Sequence, residues 1–464
     1  MPTLEIGALA EATGGALIQG DPHARVNSYV IDSRRAGAGS AFFAIKGTRT
    51  DGHRFVGEAA HNGAALVFIE HDLDAGQETP DAVIRVDDAI AALGLCGQYV
   101  RRHWDSVLWL AVTGSNGKTS TKELLAAGLS ATRRVHKTLG NFNNHLGAPL
   151  SILAMPDDTE AAVLELGMSS AGEIASLAAM TDPDIGLVTN VRAAHLEFFD
   201  SLDGIAAAKG ELFATLRDEA TSVVNLDDMH VRVQATRHIG PRITYGQHAS
   251  ANVKLEALDS SFFPGTAFRF HFRDTVRTVR LKMGGAHAAF NALAALAAVV
   301  AAGEELDPAI ELIRQVEPGP GRGKVHQLER GILLVDDSYN CSPAALASVL
   351  DTFKLAEPRG RKVLVLGDMQ ELGHLSEALH REAGKRAAVA GVGLLFAVGS
   401  LARGAAEVAR RAGVPEVHHH ADANKAAESV GEFLRSGDMV VVKGSRGMKL
   451  ERVVQALLDR RQEA

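Results

Sequence analysis

A chain of 464 residues is too long for a single core, and its 46% hydrophobic and 22% charged residues are ordinary for folded protein, which excludes a disordered chain. The net charge of −8 leaves no basic field for bulk nucleic acid or an anionic membrane. Two cysteines, Cys96 and Cys341, exclude a disulfide scaffold and fit a reducing compartment.

Taken in chain order, Met1 to Gly15 shows no basic segment ahead of an apolar one, and the longest apolar stretch, Ala292 to Ala302, is too short for a bilayer. A cytoplasmic protein without a membrane span is expected. Residues 1–105 carry short strand-like runs, Ala41 to Ile45, Ala65 to Ile69 and Val83 to Val86, with few long helices, which predicts a small α/β module. Over residues 106–317 the runs Leu108 to Val112, Ala162 to Leu166, Ile185 to Val191 and Ser222 to Asn225 alternate with helical stretches. That alternation predicts a mostly parallel sheet flanked by helices. Pro318, Gly319, Pro320 and Gly321 break the pattern. In residues 318–464 the runs Ile332 to Val335, Val363 to Leu366, Leu394 to Val398 and Met439 to Val442 predict a smaller Rossmann-like unit. The fold class is therefore α/β, in three domains.

Thr113 to Thr121 reads Thr-Gly-Ser-Asn-Gly-Lys-Thr-Ser-Thr, directly after an apolar run and before a helix-favouring stretch. A buried strand that turns at glycine and reopens as a helix aims free backbone N–H groups and a partial positive charge at one point, where phosphates bind. Gly114, Ser115, Asn116, Gly117, Lys118, Thr119 and Ser120 would cradle a nucleotide triphosphate. Lys118 would reach the β- and γ-phosphates and the Thr119 hydroxyl would hold magnesium. The first glycine of the general phosphate-loop pattern falls at Val112, so Gly114 and Gly117 must make the turn.

Ligands of open parallel sheets bind beyond the carboxyl ends of strands. The second central strand ends near Glu165, and the third is followed by His195. Thr119, Glu165 and His195 could form a magnesium shell, since magnesium prefers oxygen ligands. A histidine after a strand also serves as a plain structural residue, and both readings stay open.

Several longer motifs narrow the choice. Gly140-Asn-Phe-Asn-Asn-His-Leu-Gly-Ala-Pro149, Leu164-Glu-Leu-Gly-Met168 with Gly172-Glu-Ile174, and Thr189-Asn-Val-Arg-Ala-Ala-His-Leu-Glu197 followed by Ala208-Lys-Gly-Glu211 resemble the central domain of the Mur ligases. Asp336-Asp-Ser-Tyr-Asn-Cys-Ser-Pro343, Gly367-Asp-Met-Gln-Glu-Leu-Gly373 and Lys443-Gly-Ser-Arg446 resemble specifically the MurF type of that family. Asp32-Ser-Arg34, Phe42 to Gly47 and Asp51-Gly-His53 look like its UDP-binding N-terminal domain.

The resemblance implies an ADP-forming ligase of peptidoglycan precursor synthesis that adds D-alanyl-D-alanine to UDP-N-acetylmuramoyl-tripeptide through an acyl phosphate. It implies Thr119 and Glu165 on one magnesium, and His195 with Lys209 on a second. A protonated lysine cannot ligate a cation, so the family's carbamate on Lys209 is one reading, and a cationic Lys209 that meets phosphate directly is the other. By the same resemblance Asn291, Arg322 and Asp337 contact the nucleotide. Ser33, Arg34, Lys46, Gly47, Asp51, His53, Asn141 and Asn144 contact the UDP substrate. His287 and Asn291 lie four residues apart, on one helix face. Tyr339 and Asn340 face either the nucleotide or the dipeptide. A monomer is expected.

Two departures stand out. Ser169 and Ser170 replace the family's usual Asn-His, and the signature of the diaminopimelate-adding type is missing. His418, His419 and His420 read as a solvated loop. The near alternative is another ligase of the superfamily. The rival from another class is a nucleotide switch without ligation, which would need neither a lysine after the histidine nor a separate capping unit.

Overall fold

A computed structural model describes residues 1–460 apart from 49, 75, 194–196 and 200. Three main sheets follow one another along the chain. In the first, Ser28–Val30, Ser40–Phe43, Ala64–Ile69 and Ala82–Arg85 run parallel, and Ala16–Gln19 closes one edge antiparallel. The apolar runs that predicted these strands are buried on both faces, as parallel strands require.

The long helix of this part is Ala89–His103, fifteen residues capped by the Asp88 carboxylate. Its apolar face faces both ways along the chain. Arg101 donates to the carbonyls of Thr181 and Asp182, and a single core runs from Ile6 and Phe43 through Val100 to Trp109 and Leu164. The first sheet and the central sheet are thus welded by shared packing.

The central sheet has nine strands. From one edge the order is Val135–Lys137, Ala161–Glu165, Leu108–Thr113, Ile185–Val188, Thr221–Asn225, Arg242–Gly246 and Val253–Asp259, all parallel, followed by the antiparallel pair Ala267–Phe272 and Thr275–Arg280. The strand that delivers the phosphate loop therefore lies between the two that deliver Glu165 and Thr189. The alanine-rich helix Ala286–Ala301 packs on the phosphate helix Lys118–Leu129, where small side chains allow close approach. Among the described residues no helix is long and apolar enough to cross a membrane.

The third sheet orders Lys324–Gln327, Leu333–Asp337, Met439–Lys443, Lys362–Gly367, Leu394–Val398 and Glu416–His420, parallel except for the first. Its last strand corrects the expected solvated loop at His418 to His420. Strand alternation puts His418 and His420 on one face, stacked on Phe396, and turns His419 to the other, where it donates to the Gly399 carbonyl at 2.8 Å.

Candidate active site

The carboxyl ends of the central strands open into a cleft of about 760 Å³, closed from the far side by the third sheet's unit. Ser115 to Ser120, Glu165, Asn141, Asn144, Asn291, Arg322 and Asp337 all line it. The structure thus brings together the phosphate loop, two of the expected metal ligands, Thr119 and Glu165, and the expected C-terminal contacts.

The loop owes its shape to two glycines. Gly114 has φ +146° and a side-chain carbon there would lie 1.9 Å from Thr189 Oγ1; Gly117 has φ +82° and such a carbon would lie 2.2 Å from Asn291 Oδ1. The loop is then tied down by the Thr189 to Arg192 stretch, whose motif the sequence shows but whose contacts with the loop it does not. Thr189 Oγ1 donates to the Asn116 carbonyl at 2.7 Å, and Asn190 both donates to that carbonyl and accepts the Asn116 N–H. Ser115 exchanges hydrogen bonds with the backbone of Arg192, and Arg192 pairs with buried Asp228. The first N–H groups of the helix that starts at Lys118 have no partner within the helix and face the cleft.

Lys118 folds back to donate to the Gly114 carbonyl at 2.8 Å. Burial, opposed by Glu165 and reinforced by Arg322, holds its pKa below the ordinary lysine value. Glu165 is 2% exposed: Asn143 donates to Oε1 at 2.8 Å, while Oε2 is buried without a hydrogen-bond partner. A carboxylate oxygen without a hydrogen bond, in one cleft with the Thr119 hydroxyl and a phosphate loop, is a donor set that suits a hard, oxygen-preferring cation. Magnesium fits these residues. His195 lies outside the described residues.

Lys209 sits on the helix Leu202–Thr215 and is 2% exposed. Among the described residues it is not part of the cleft lining, yet it is close enough to Lys118 for their charges to interact. Burial first, then the Lys118 ammonium, pushes its pKa well below the ordinary value.

On the C-terminal wall Lys443 is buried against Asp337, with Nζ 2.5 Å from Oδ2, and also donates to the Asn340 carbonyl. Burial, the largest single influence, would lower the Lys443 pKa, but the Asp337 carboxylate together with Cys341 makes the net shift upward. The Arg322 guanidinium lies 4.1 Å over the Tyr339 ring, and Arg446 lies 5.6 Å from the same ring. Gln370 and Glu371, from the Gly367 to Gly373 motif, complete this wall; Gln370 is held by its N–H to Ser445 Oγ at 2.8 Å. Ser169 and Ser170 both bind the Glu173 carboxylate and so shape the turn before the helix Glu173–Thr181.

The N-terminal candidates lie elsewhere. Ser33 is buried and donates to Glu58 at 2.5 Å, and exposed Arg34 pairs with Asp32. Lys46 and Asp51 form a bridge that brackets Gly47. Asp51, His53 and His71 are the one group of three metal-type ligands among the described residues. Its hydrogen bonds argue against a metal: His53 Nδ1 donates to Asp51 at 2.7 Å and Nε2 accepts the Glu70 N–H at 2.8 Å, leaving no lone pair. The His53 N–H and then the His53 and His71 rings hold the Asp51 carboxyl down at about 2, against its burial. Asn144 accepts the N–H groups of Leu146 and Gly147 and so caps the helix Gly147–Leu153 while it lines the cleft.

Family models match the chain in three stretches: a Mur ligase family catalytic domain at 25–99, a Mur ligase middle domain at 112–299 and a Mur ligase glutamate ligase domain at 321–446. The chain is 34% identical to the UDP-N-acetylmuramoyl-tripeptide--D-alanyl-D-alanine ligase of Bacillus subtilis, over 94% of this chain and 93% of that protein. To the protein of the same name from Escherichia coli it is 32% identical over 99% of each. Among solved structures it resembles MurF from Acinetobacter baumannii, with a TM-score of 0.90 and 28% identity over 99% of both chains. It also resembles the MurF ligase of Thermotoga maritima in complex with ADP, with a TM-score of 0.81 and 30% identity over 94% of this chain and 98% of the other.

Proposed function

The chain belongs to the Mur ligase family, and from that membership we infer that it is an ATP-dependent, ADP-forming ligase that joins D-alanyl-D-alanine to UDP-N-acetylmuramoyl-tripeptide in peptidoglycan precursor synthesis. The observation that carries the reading is the cleft itself, where a phosphate loop, a buried carboxylate with one oxygen that makes no hydrogen bond and a separate C-terminal wall converge.

In this reading the terminal carboxylate of the tripeptide attacks the γ-phosphorus of ATP and ADP leaves, giving an acyl phosphate. The amine of the dipeptide then attacks the acyl carbon, phosphate departs, and the amine gives up a proton as the amide forms. Lys118 turns from the Gly114 carbonyl to the transferring phosphoryl group, and the loop N–H groups hold the remaining phosphates. Magnesium bound at Thr119 and Glu165 would neutralise charge that builds on the phosphates. A carbamate on Lys209 would give the second ion an oxygen ligand; its support is a buried amine whose pKa is lowered by burial and by the Lys118 ammonium, which favours the neutral form that combines with carbon dioxide. Asn291, Arg322 and Asp337 are assigned to the nucleotide, Asn141 and Asn144 to the acceptor, and Ser33, Arg34, Lys46, Gly47, Asp51 and His53 to its UDP end. The C-terminal wall excludes water from the hydrolysable intermediate. One chain supplies the whole cleft, which supports a monomer, and the nucleotide substrates support work in the cytoplasm.

Phosphate release from ATP, measured over a panel of acceptors and amines, tests the reading. D-alanyl-D-alanine with the tripeptide acceptor should drive turnover and D-alanine should not. The shorter amine leaves buried polar groups unpaired, which costs on the order of 100-fold or more in specificity. Faster turnover with diaminopimelate on a dipeptide acceptor would overturn the substrate assignment and leave the ligase chemistry standing.

A further inference from the structure

The phosphate helix carries a second lysine that the reaction above does not use. Lys122 lies one turn beyond Lys118 and is 0% exposed. Its ammonium donates to the Thr138 carbonyl at 2.6 Å and lies 3.1 Å from Glu123 Oε1, 3.5 Å from the Gly140 carbonyl and 3.8 Å from Glu165 Oε2. Burying an ammonium is costly unless its three N–H donors find partners. Here two of the partners are backbone carbonyls of one segment.

That segment leaves the edge strand Val135–Lys137 and runs through Gly140, at φ +55°, to Asn141, Asn143 and Asn144, which line the cleft. Apolar packing does little to hold it, because Leu139 is 59% and Phe142 is 43% exposed. Polar ties hold it instead. Thr138 Oγ1 accepts the Glu165 N–H, the Asn143 carbonyl accepts the Gly167 N–H at 2.7 Å, and the Asn143 amide donates to Glu165 Oε1. Lys122 is the tie that joins this segment to the phosphate helix.

We propose that Lys122 is a positioning residue that anchors the Thr138–Asn144 segment to the phosphate helix, so that the nucleotide side and the acceptor side of the cleft are built against one buried ammonium. Lys122 itself does not line the cleft, so it acts through the segment. The proposal rests on the reading of Asn141 and Asn144 as acceptor contacts.

Lys122→Met keeps the unbranched apolar stem of the side chain and removes its donors. Amide hydrogen exchange over residues 139–146 should quicken, and KM for the muramoyl-tripeptide should rise about ten-fold, the size of a typical coupling between sites, while KM for ATP stays near its wild-type value. Unchanged exchange in 139–146, an unchanged acceptor KM, or an equal rise in both KM values overturns the proposal. Should the variant fail to fold, the wild-type chain decides: ADP with magnesium alone slows exchange in 139–146 if helix and segment move together, and unchanged exchange refutes the coupling. Failure of the underlying reading looks different, because Asn141→Ala would then leave the acceptor KM untouched.

Discussion

The Ser342 hydroxyl, at the first turn of the helix Pro343–Leu355 in the C-terminal unit, donates to Asn116 Oδ1 of the phosphate loop at 3.2 Å. The same oxygen accepts the Ala345 N–H at 3.2 Å as the cap of that helix. One side chain therefore serves a helix end in one unit and the nucleotide loop in another. Ser348 to His287 at 3.2 Å and the Glu197 N–H to the Glu371 carbonyl at 3.2 Å join the same two walls.

Ser342→Ala should lose both functions, lowering stability by about 1 kcal/mol through the missing cap and raising KM for ATP. Ser342→Asp restores the cap but sets a negative charge beside the phosphates. Its melting temperature should match wild type while its KM for ATP exceeds that of Ser342→Ala. Equal ATP affinity in all three proteins would leave the hydroxyl as a cap only.

Lys118→Ala should fold and fail to turn over. Removing a positioned cation from a water-poor site typically costs about 2.7–4 kcal/mol of transition-state stabilisation, or roughly 100- to 1,000-fold in kcat. The melting temperature should hold or rise, because burial already penalises this ammonium. A folded variant with near-normal kcat would remove the loop from the chemistry.

The phosphate loop was legible because strand, glycines and Lys-Thr are contiguous, and the parallel sheets were legible because strands buried on both faces read as unbroken apolar runs. The contacts that hold the loop were not. Thr189 and Asn190 come from a different strand, Asn143 and Lys122 reach Glu165 only after three elements pack, and Lys443 meets Asp337 across a parallel pair more than a hundred residues apart in sequence. Such partners have no local signature. The histidines at 418 to 420 were misread for a related reason: three polar residues in a row look like a loop until Phe396 and Phe433 supply the rings that pack on His418 and His420.

Gly117→Ala should disable nucleotide use by a route that a second substitution can partly reverse. The new carbon must sit at φ +82°, which costs about 1–2 kcal/mol for a residue with a side chain, and it collides with Asn291 Oδ1 as well. Asn291→Ala removes the collision but not the strain, so Gly117→Ala should cost less stability and less ADP affinity in the Asn291→Ala background than alone. Strict additivity of the two would mean that the contact does not shape the loop.

Lys209 allows the sharpest test of the two readings of its chemistry. A free lysine amine, with a pKa of about 10.4, is almost wholly protonated at neutral pH and combines poorly with carbon dioxide. Burial and Lys118 move this amine well below that value, so its neutral form is favoured relative to that of a free lysine and grows as pH rises. The sign for stability follows from the same shift. The unmodified folded chain holds this proton more weakly than the unfolded chain, so its stability rises with pH between the depressed pKa and about 10.4. With labelled bicarbonate at pH 7 to 8, wild-type protein should show a carbamate carbon resonance that fades on acidification and is missing from Lys209→Ala. The variant should be nearly inactive, and acetate should restore part of the turnover by returning carboxylate oxygens to the space. A wild-type spectrum without that resonance, together with no acetate rescue, would favour a cationic Lys209 that meets phosphate directly.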